Sequence, residues 1–350
     1  MCGITGFIET KPNGGKEAKL SMPGLLVASE KRGTDATGIA FINKGKIIHY
    51  KDHVPAHEFI KHAKFKLLLG AFNPNIMIGH TRTKTQGDPK NNDNNHPIIA
   101  DNIALVHNGM IMNEIDVFKE FKLKRKAEVD SEVIARLISY FKKQKSVPAT
   151  RVAIQCACKE LRGGLAIAVI NALNPRELHL VSSDNPIVTA YQKSTGTIFF
   201  GSEIGILQQA LYRGNIVHNY FYNTINHDDF IFRVLEENEG IRITADKISG
   251  YKVERAPYTY QSNYQEYEGR VWDNEKNDWK WKDRKTEQQS LLPAGKKTKK
   301  ESFVKGYNPL EIITKPSKYK TLDLQARYVI LAKINKKEKL TGKEQTEFTR

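Results

Sequence analysis

Three pairs of β-rich runs, each broken by a short turn sequence, restrict the fold more than any other feature of the chain. In GIAFINKGKIIHYKD (38–52) two apolar runs flank Asn43–Lys44–Gly45, a hairpin signal. GGLAIAVINALNPRELHLVSSD (163–184) repeats the pattern with a turn expected at Asn174–Pro175, and PIVTAYQKSTGTIFFGSE (186–203) with a turn expected around Gly196. NIMIGHTR (75–82) and NIALVHNGMI (102–111) read as buried strands that lead into polar loops. Among them lies an amphipathic helix, DSEVIARLISYFKKQ (130–144). Its Val133, Ile134, Leu137, Ile138 and Phe141 share one face, and Asp130 is a good N-cap. Hairpins with two or three helices predict antiparallel sheets covered by helices, an α+β arrangement.

A cysteine stands directly behind the initiator methionine, in MCGITGFIE. Two readings are open for it. Cys2 is a small apolar residue starting the first strand, or Met1 is removed and Cys2 becomes a nucleophile with its own α-amine as base. A free α-amine has a pKa of about 7.7–8.0, so much of it is unprotonated near neutral pH, and a thiol beside a base is an activated nucleophile. The other cysteines, Cys156 and Cys158, make with Cys2 neither a disulfide framework nor a zinc spacing. They read as structural residues of a short helix. A reducing cytoplasm fits this usage. No apolar run approaches the ~20 residues needed to span a bilayer, and the N-terminus has no signal-type pattern, so no membrane association is expected.

Five stretches join Cys2 in order: CGITGF (2–7), RGTDATG (32–38), GHTRTKTQG (79–87), NNHP (94–97) and LVHNGMI (105–111), with DSEV (130–133) as a sixth. In this order and at these gaps they resemble the class II glutamine amidotransferase domain, an N-terminal-nucleophile (Ntn) hydrolase. The resemblance covers roughly residues 2–205, continued by GGLAIAVI, SSDNPIV and FFGSE. It implies a four-layer αββα sandwich with a basic, partly irregular C-terminal extension. It also implies a glutaminase that turns L-glutamine into glutamate and ammonia through a thioester on Cys2, without cofactor or metal.

The resemblance places the oxyanion donors on the Asn108 side chain and the Gly109 backbone N–H, and charge developing there is where fixed dipoles help most. It assigns the substrate's α-carboxylate to Arg82, whose guanidinium can bind both oxygens, a contact to Thr85, and the α-ammonium to Asp130. Arg32 and Asp35 would shape the pocket beside the nucleophile, with His96 in support. A helix-ending loop with a buried Arg32–Asp35 ion pair is the plainer reading of RGTDATG. His80, His96 and His107 follow no metal-ligand spacing. Many relatives carry a tryptophan after the arginine and a histidine before the glycine, where this chain has Thr83 and Gln86.

The texture changes beyond about residue 250, and the expected division is a glutaminase domain over 2–245 and an extension over 246–350. The formal charge is +16, and residues 251–350 carry 23 Lys and Arg against 14 Asp and Glu. Such a surplus attracts polyanions and raises solubility. The extension could dock a synthase, hold nucleic acid through Trp272, Trp279 and Trp281 among lysines, or be a solvated tail. The 350 residues show no Gly-rich P-loop and no Ser-Gly-Gly-x-Asp-Ser motif, so the ammonia acceptor is expected on another chain. An Ntn amidohydrolase acting on another amide, or a partner-dependent regulatory protein, is the alternative.

Overall fold

In the computed structural model the described residues are 2–11, 18–147, 149–212 and 229–255, with the backbone of 270–273 and 278–281. LDLQARYVILAKINKKEKLTGKEQTEF (322–348), whose sequence could form a final helix or a small helical unit, and LPAGKKTKKES (292–302), a basic linker by composition, lie outside them. Along the chain, β1 (Gly3–Glu9) is followed by α1 (Met22–Ser29), β2 (Ala36–Asn43), β3 (Lys46–Asp52), α2 (Ala56–Phe59), α3 (Ala63–Ala71) and β4 (Ile76–Arg82). Next come β5 (Ile98–Ala100), β6 (Ile103–Ile111), α4 (Glu114–Glu120), α5 (Ser131–Lys142) and α6 (Thr150–Glu160). After these run β7 (Gly163–Asn171), β8 (Asn174–Ser183), β9 (Val188–Gln192), β10 (Thr197–Gly201) and α7 (Ile204–Tyr212). The strands β11 (Phe230–Val234), β12 (Glu239–Ile243) and β13 (Ile248–Lys252) are the last described elements of this unit. A second unit, 257–308, holds β14 (Arg270–Asp273) and β15 (Asp278–Trp281), which pair antiparallel with Trp272 opposite Trp279.

Two antiparallel sheets form the first unit, in the orders β11-β9-β10-β1-β4-β2-β3 and β13-β12-β8-β7-β6-β5. Period-2 alternation sends successive side chains to opposite faces, and these strands are apolar on both. Ile4 and Ile8 of β1 and Ile76 and Ile78 of β4 meet Ala104, Val106, Ala166, Ala168, Leu178 and Leu180 of the other sheet. On the outer face of the seven-stranded sheet, Phe7, Ile39 and Met77 pack under Met22, Leu25 and Leu26 of α1, Phe59, Phe65 and Leu207. On the outer face of the six-stranded sheet, Leu105, Leu165 and Ile167 pack under Val133, Ile134, Leu137 and Ile138 of α5 and Ala153 and Ile154 of α6. The result is the αββα sandwich. A fully buried leucine such as Leu137 makes α5 sensitive: Leu137→Ala costs about 2–5 kcal/mol, transfer and cavity together.

The first and third hairpins form as expected, β2–β3 closing Asn43 on Lys46 and β9–β10 closing Gln192 on Thr197. The second turns earlier. Ala172 and Leu173 make the turn and Asn174–Pro175 already belong to β8, which a proline at a strand's second position permits. The boundary expected at residue 245 falls inside the β12–β13 hairpin, whose strands pair from Glu239↔Lys252 to Ile243↔Ile248. Tyr251 and Val253 are buried in the core, so the sheet continues past that boundary.

Candidate active site

Strand parity gathers the polar residues at one end of the sandwich. On β4, Ile76 and Ile78 face the other sheet, so His80 and Arg82 continue that face; on β6, Ala104 and Val106 do the same for Asn108. The β1–β4 register runs to Gly3↔Thr81, which brings the start of β1, with Cys2 just before it, beside the end of β4, whose last residue is Arg82. His80 donates from Nε2 to the carbonyl of His107, 3.0 Å away, which ties β4 to β6 where the two sheets meet.

Cys2 is partly exposed, and its thiol donates to the carbonyl of Thr83 at 3.4 Å. Burial pushes the thiol pKa up, opposed by the backbone of Thr83 and the charge of Arg82 and reinforced by the negative charge of Asp130. Arg82 feels Cys2 and Asp130 in turn. Cys2, Arg82 and Asp130 therefore lie within electrostatic reach of one another.

Each neighbour is held from behind. Arg32 donates from Nε to the Cys2 carbonyl at 2.8 Å and pairs with Glu203, which also meets Lys31 at 2.8 Å. The Arg32–Asp35 pair expected from RGTDATG does not form: Asp35 instead accepts the backbone N–H of Lys84 at 2.6 Å. Gly33 lies against the Arg82 backbone so closely that a Cβ there would fall 2.3 Å from the Arg82 carbonyl carbon. Arg82 is buried, donating to Asn95 Oδ1 at 2.7 Å, to the Gly87 carbonyl at 2.9 Å and to the Gln86 carbonyl. It thus holds the loop over 83–87 in place. Thr85 is exposed on that loop.

Asn108 is buried, and its Nδ2 has no hydrogen-bond partner among the described residues. A buried amide donor without an acceptor costs free energy, so it marks a place where an acceptor is expected. Gly109 follows at φ +148°, and a Cβ there would meet the Gly164 carbonyl oxygen at 2.1 Å, so only glycine fits.

Asp130 occupies the N-cap position of α5 but does not cap it; its Oδ2 accepts the backbone N–H of Ile111 at 2.6 Å. The N-cap expected from sequence is corrected on this point. The physical reason is its burial beside β6, where the strand-end N–H needs an acceptor.

His96 is buried and stacks on His80, ring centroids 4.1 Å apart, and burial drives both well toward the neutral form, His80 to about 3. His107 bonds Ser131 Oγ at 2.8 Å. Among the described residues no group of His, Cys, Asp or Glu is arranged to hold a metal ion. Cys158 is buried, its thiol pushed up to about 12, as suits a structural residue. Sequence reading did not single out Asn95, Glu203 or Glu114. The first two lie in quoted stretches, but nothing in the text says that Asn95 would accept from Arg82 or that Glu203 would reach Arg32 from 171 residues away.

A family model described as a glutamine amidotransferase domain matches residues 80–209, which include β4, Asn108, Gly109 and Asp130. The chain carries a class II glutamine amidotransferase domain. It is 32% identical over 239 residues to a glutamine–fructose-6-phosphate aminotransferase of Pyrococcus horikoshii, covering 67% of the chain and 38% of that protein. It is 25% identical over 207 residues to a 7-cyano-7-deazaguanine synthase of Saccharolobus solfataricus, covering 58% of the chain and 43% of that protein. The chain therefore spans about two fifths of the length of these curated relatives. A solved glutamine phosphoribosylpyrophosphate amidotransferase from B. subtilis superposes on the amidotransferase domain with a TM-score of 0.55 at 19% identity, over 72% of the chain and 49% of that one. At that identity the likeness speaks for the fold, an Ntn-type sandwich. No helix among the described residues is long and apolar enough to cross a membrane.

Proposed function

We propose that this amidotransferase domain hydrolyses L-glutamine and hands the ammonia to an acceptor site. The observation that carries the reading is that the Cys2 thiol lies within electrostatic reach of Arg82 and Asp130, one positive and one negative side chain. With Met1 removed, the α-amine of Cys2 takes the thiol proton and sulfur attacks the side-chain amide carbon. The negative charge that develops on the amide oxygen meets Asn108 Nδ2 and the Gly109 N–H. Collapse of the tetrahedral intermediate breaks the C–N bond, the amine returns its proton to nitrogen, and ammonia leaves a γ-glutamyl thioester. Water, deprotonated by the same amine, then adds to the thioester, and glutamate departs with the thiol restored. Arg82 would take the α-carboxylate, with Thr85 reaching in from the loop, and Asp130 the α-ammonium. Arg32 and Asp35 hold the nucleophile's surroundings, and His96 supports β4 through His80.

Arg82 is the assignment with most to rearrange, since its guanidinium already donates to three loop acceptors. Substrate carboxylate would exchange with the Gln86 and Gly87 carbonyls, which makes glutamine binding and the loop's position one event.

Residues 2–255 form the glutaminase unit in this reading. The ammonia acceptor lies outside that unit. The nucleic-acid role considered for the tryptophan-rich segment has no support among the relatives and is not part of the proposal. Ammonia and glutamate production from L-glutamine, measured on C-terminally tagged protein whose intact mass shows loss of Met1, tests the reading. Production abolished in Cys2→Ala supports it; production retained in that variant contradicts it.

A further inference from the structure

Glu114 opens α4, three positions beyond the strand end that Asp130 holds. It is 4% exposed, yet its Oε2 has no hydrogen-bond partner among the described residues. The Gln86 side chain is close enough to act on its carboxyl, and Gln86 itself has a buried Oε1 without a partner among the described residues. Asp130 is near enough for its charge to act on Glu114. Neither carboxyl forms an ion pair among the described residues. Arg125, the cation that acts on Glu114, is engaged by the carbonyls of Ala127 and Glu128 at 2.8 and 2.7 Å. Arg82 is held by its own loop.

Two buried carboxyls without an ion pair carry a desolvation cost that their hydrogen bonds, the Ile111 N–H on Asp130 among them, offset only in part. The group that would offset it is a small cation with several N–H donors, and an alkylammonium offers three. We infer that Glu114 is a specificity-determining residue that joins Asp130 in accepting the α-ammonium of the substrate, with Gln86 positioning its carboxyl. The inference rests on the glutaminase reading. It gives Gln86, a departure from the family pattern, a task of its own: its amide holds Glu114 while its carbonyl oxygen adds an acceptor. It also couples the loop over 83–87 to substrate, since Arg82 donates to the carbonyl of the same Gln86.

The test is calorimetric titration of full-length Cys2→Ala protein with L-glutamine and with 4-carbamoylbutanoate, which keeps the amide and carboxylate and lacks the ammonium. In that background Glu114→Gln, which preserves size, should weaken L-glutamine about 10- to 100-fold, as loss of a hydrogen bond to a charged group does. The analogue's affinity should not change. Gln86→Leu, on the loop rather than in the helix, should act in the same direction with a smaller effect. Weakening of both ligands alike would assign Glu114 a structural role and overturn the inference, as would no change for either. Failure of Cys2→Ala to bind L-glutamine at all would contradict the glutaminase reading itself, and the inference with it.

Discussion

The carboxylate of Asp130 accepts the backbone N–H of Ile111 at 2.6 Å and makes no capping bond to the backbone of the helix it precedes, its other oxygen meeting the Ser131 hydroxyl at 3.5 Å. Asp130 therefore joins α5 to the end of β6 rather than capping α5. Asp130→Asn keeps an acceptor for Ile111 and removes the charge. We expect glutamine KM to rise about 10- to 100-fold, the loss appropriate to a charged partner, with the melting temperature nearly unchanged. A drop in melting temperature of the size that follows loss of a cap, about 1 kcal/mol of stability, would contradict this.

Asn108 carries a prediction in which activity and stability separate. Its Nδ2 is buried and unpartnered, so the side chain gives the folded state no hydrogen bond through that atom. Asn108→Ala should lower glutamine turnover about 100- to 1,000-fold, as loss of an oxyanion donor does. Chemical denaturation should show no loss of stability beyond that of a small cavity. A large loss of stability with activity retained would remove Asn108 from the site.

The stack of His80 on His96 makes the domain sensitive to acid. Burial lowers the His80 pKa from 6.5 to about 3 and that of His96 well below its ordinary value, so the unfolded chain binds more protons than the folded one between those limits. The stability these rings contribute is complete above 6.5 and falls as pH drops toward 3. NMR of the imidazoles should show both rings neutral at pH 5 in the folded protein. Titration of either near 6.5 would contradict it.

The end of the folded unit gives a further test. Tyr251 and Val253 are buried, and Arg255 bonds Ser183 Oγ at 2.9 Å, Asp184 at 3.0 Å and the Gly163 carbonyl. Each buried apolar side chain contributes about 1.5–3 kcal/mol. A chain ending at Ala245 should lose cooperative unfolding, whereas one ending at Arg255 should keep it. Equal behaviour of the two would show that β13 adds nothing.

Much of this was legible in the residues. The motif order from Cys2 to Asp130 pointed to the candidate site, and the apolar runs of β1, β4 and β6 indicated strands buried on both faces. Local signals misled where a distant partner decided the outcome. Asp130 reads as a cap because its neighbours in sequence form a helix, and only the fold brings the Ile111 N–H to it. Arg32 and Asp35 read as a pair, but Glu203 and Lys84 reach them first. Asn174–Pro175 reads as a turn, yet the sheet register moves the turn to Ala172–Leu173. Glu114 gave no signal, since an acidic residue in a helix's first turn is ordinary, and its burial beside Asp130 is a property of the assembled sheets alone.

The central claim is that the Cys2 sulfur is the atom that attacks glutamine. The most direct measurement is intact and peptide mass spectrometry of protein quenched with acid during turnover of L-glutamine. The account predicts a γ-glutamyl adduct on the N-terminal peptide that begins with Cys2, absent in Cys2→Ala. An adduct on Cys156 or Cys158, or glutamate formed by Cys2→Ala at the wild-type rate, would contradict it.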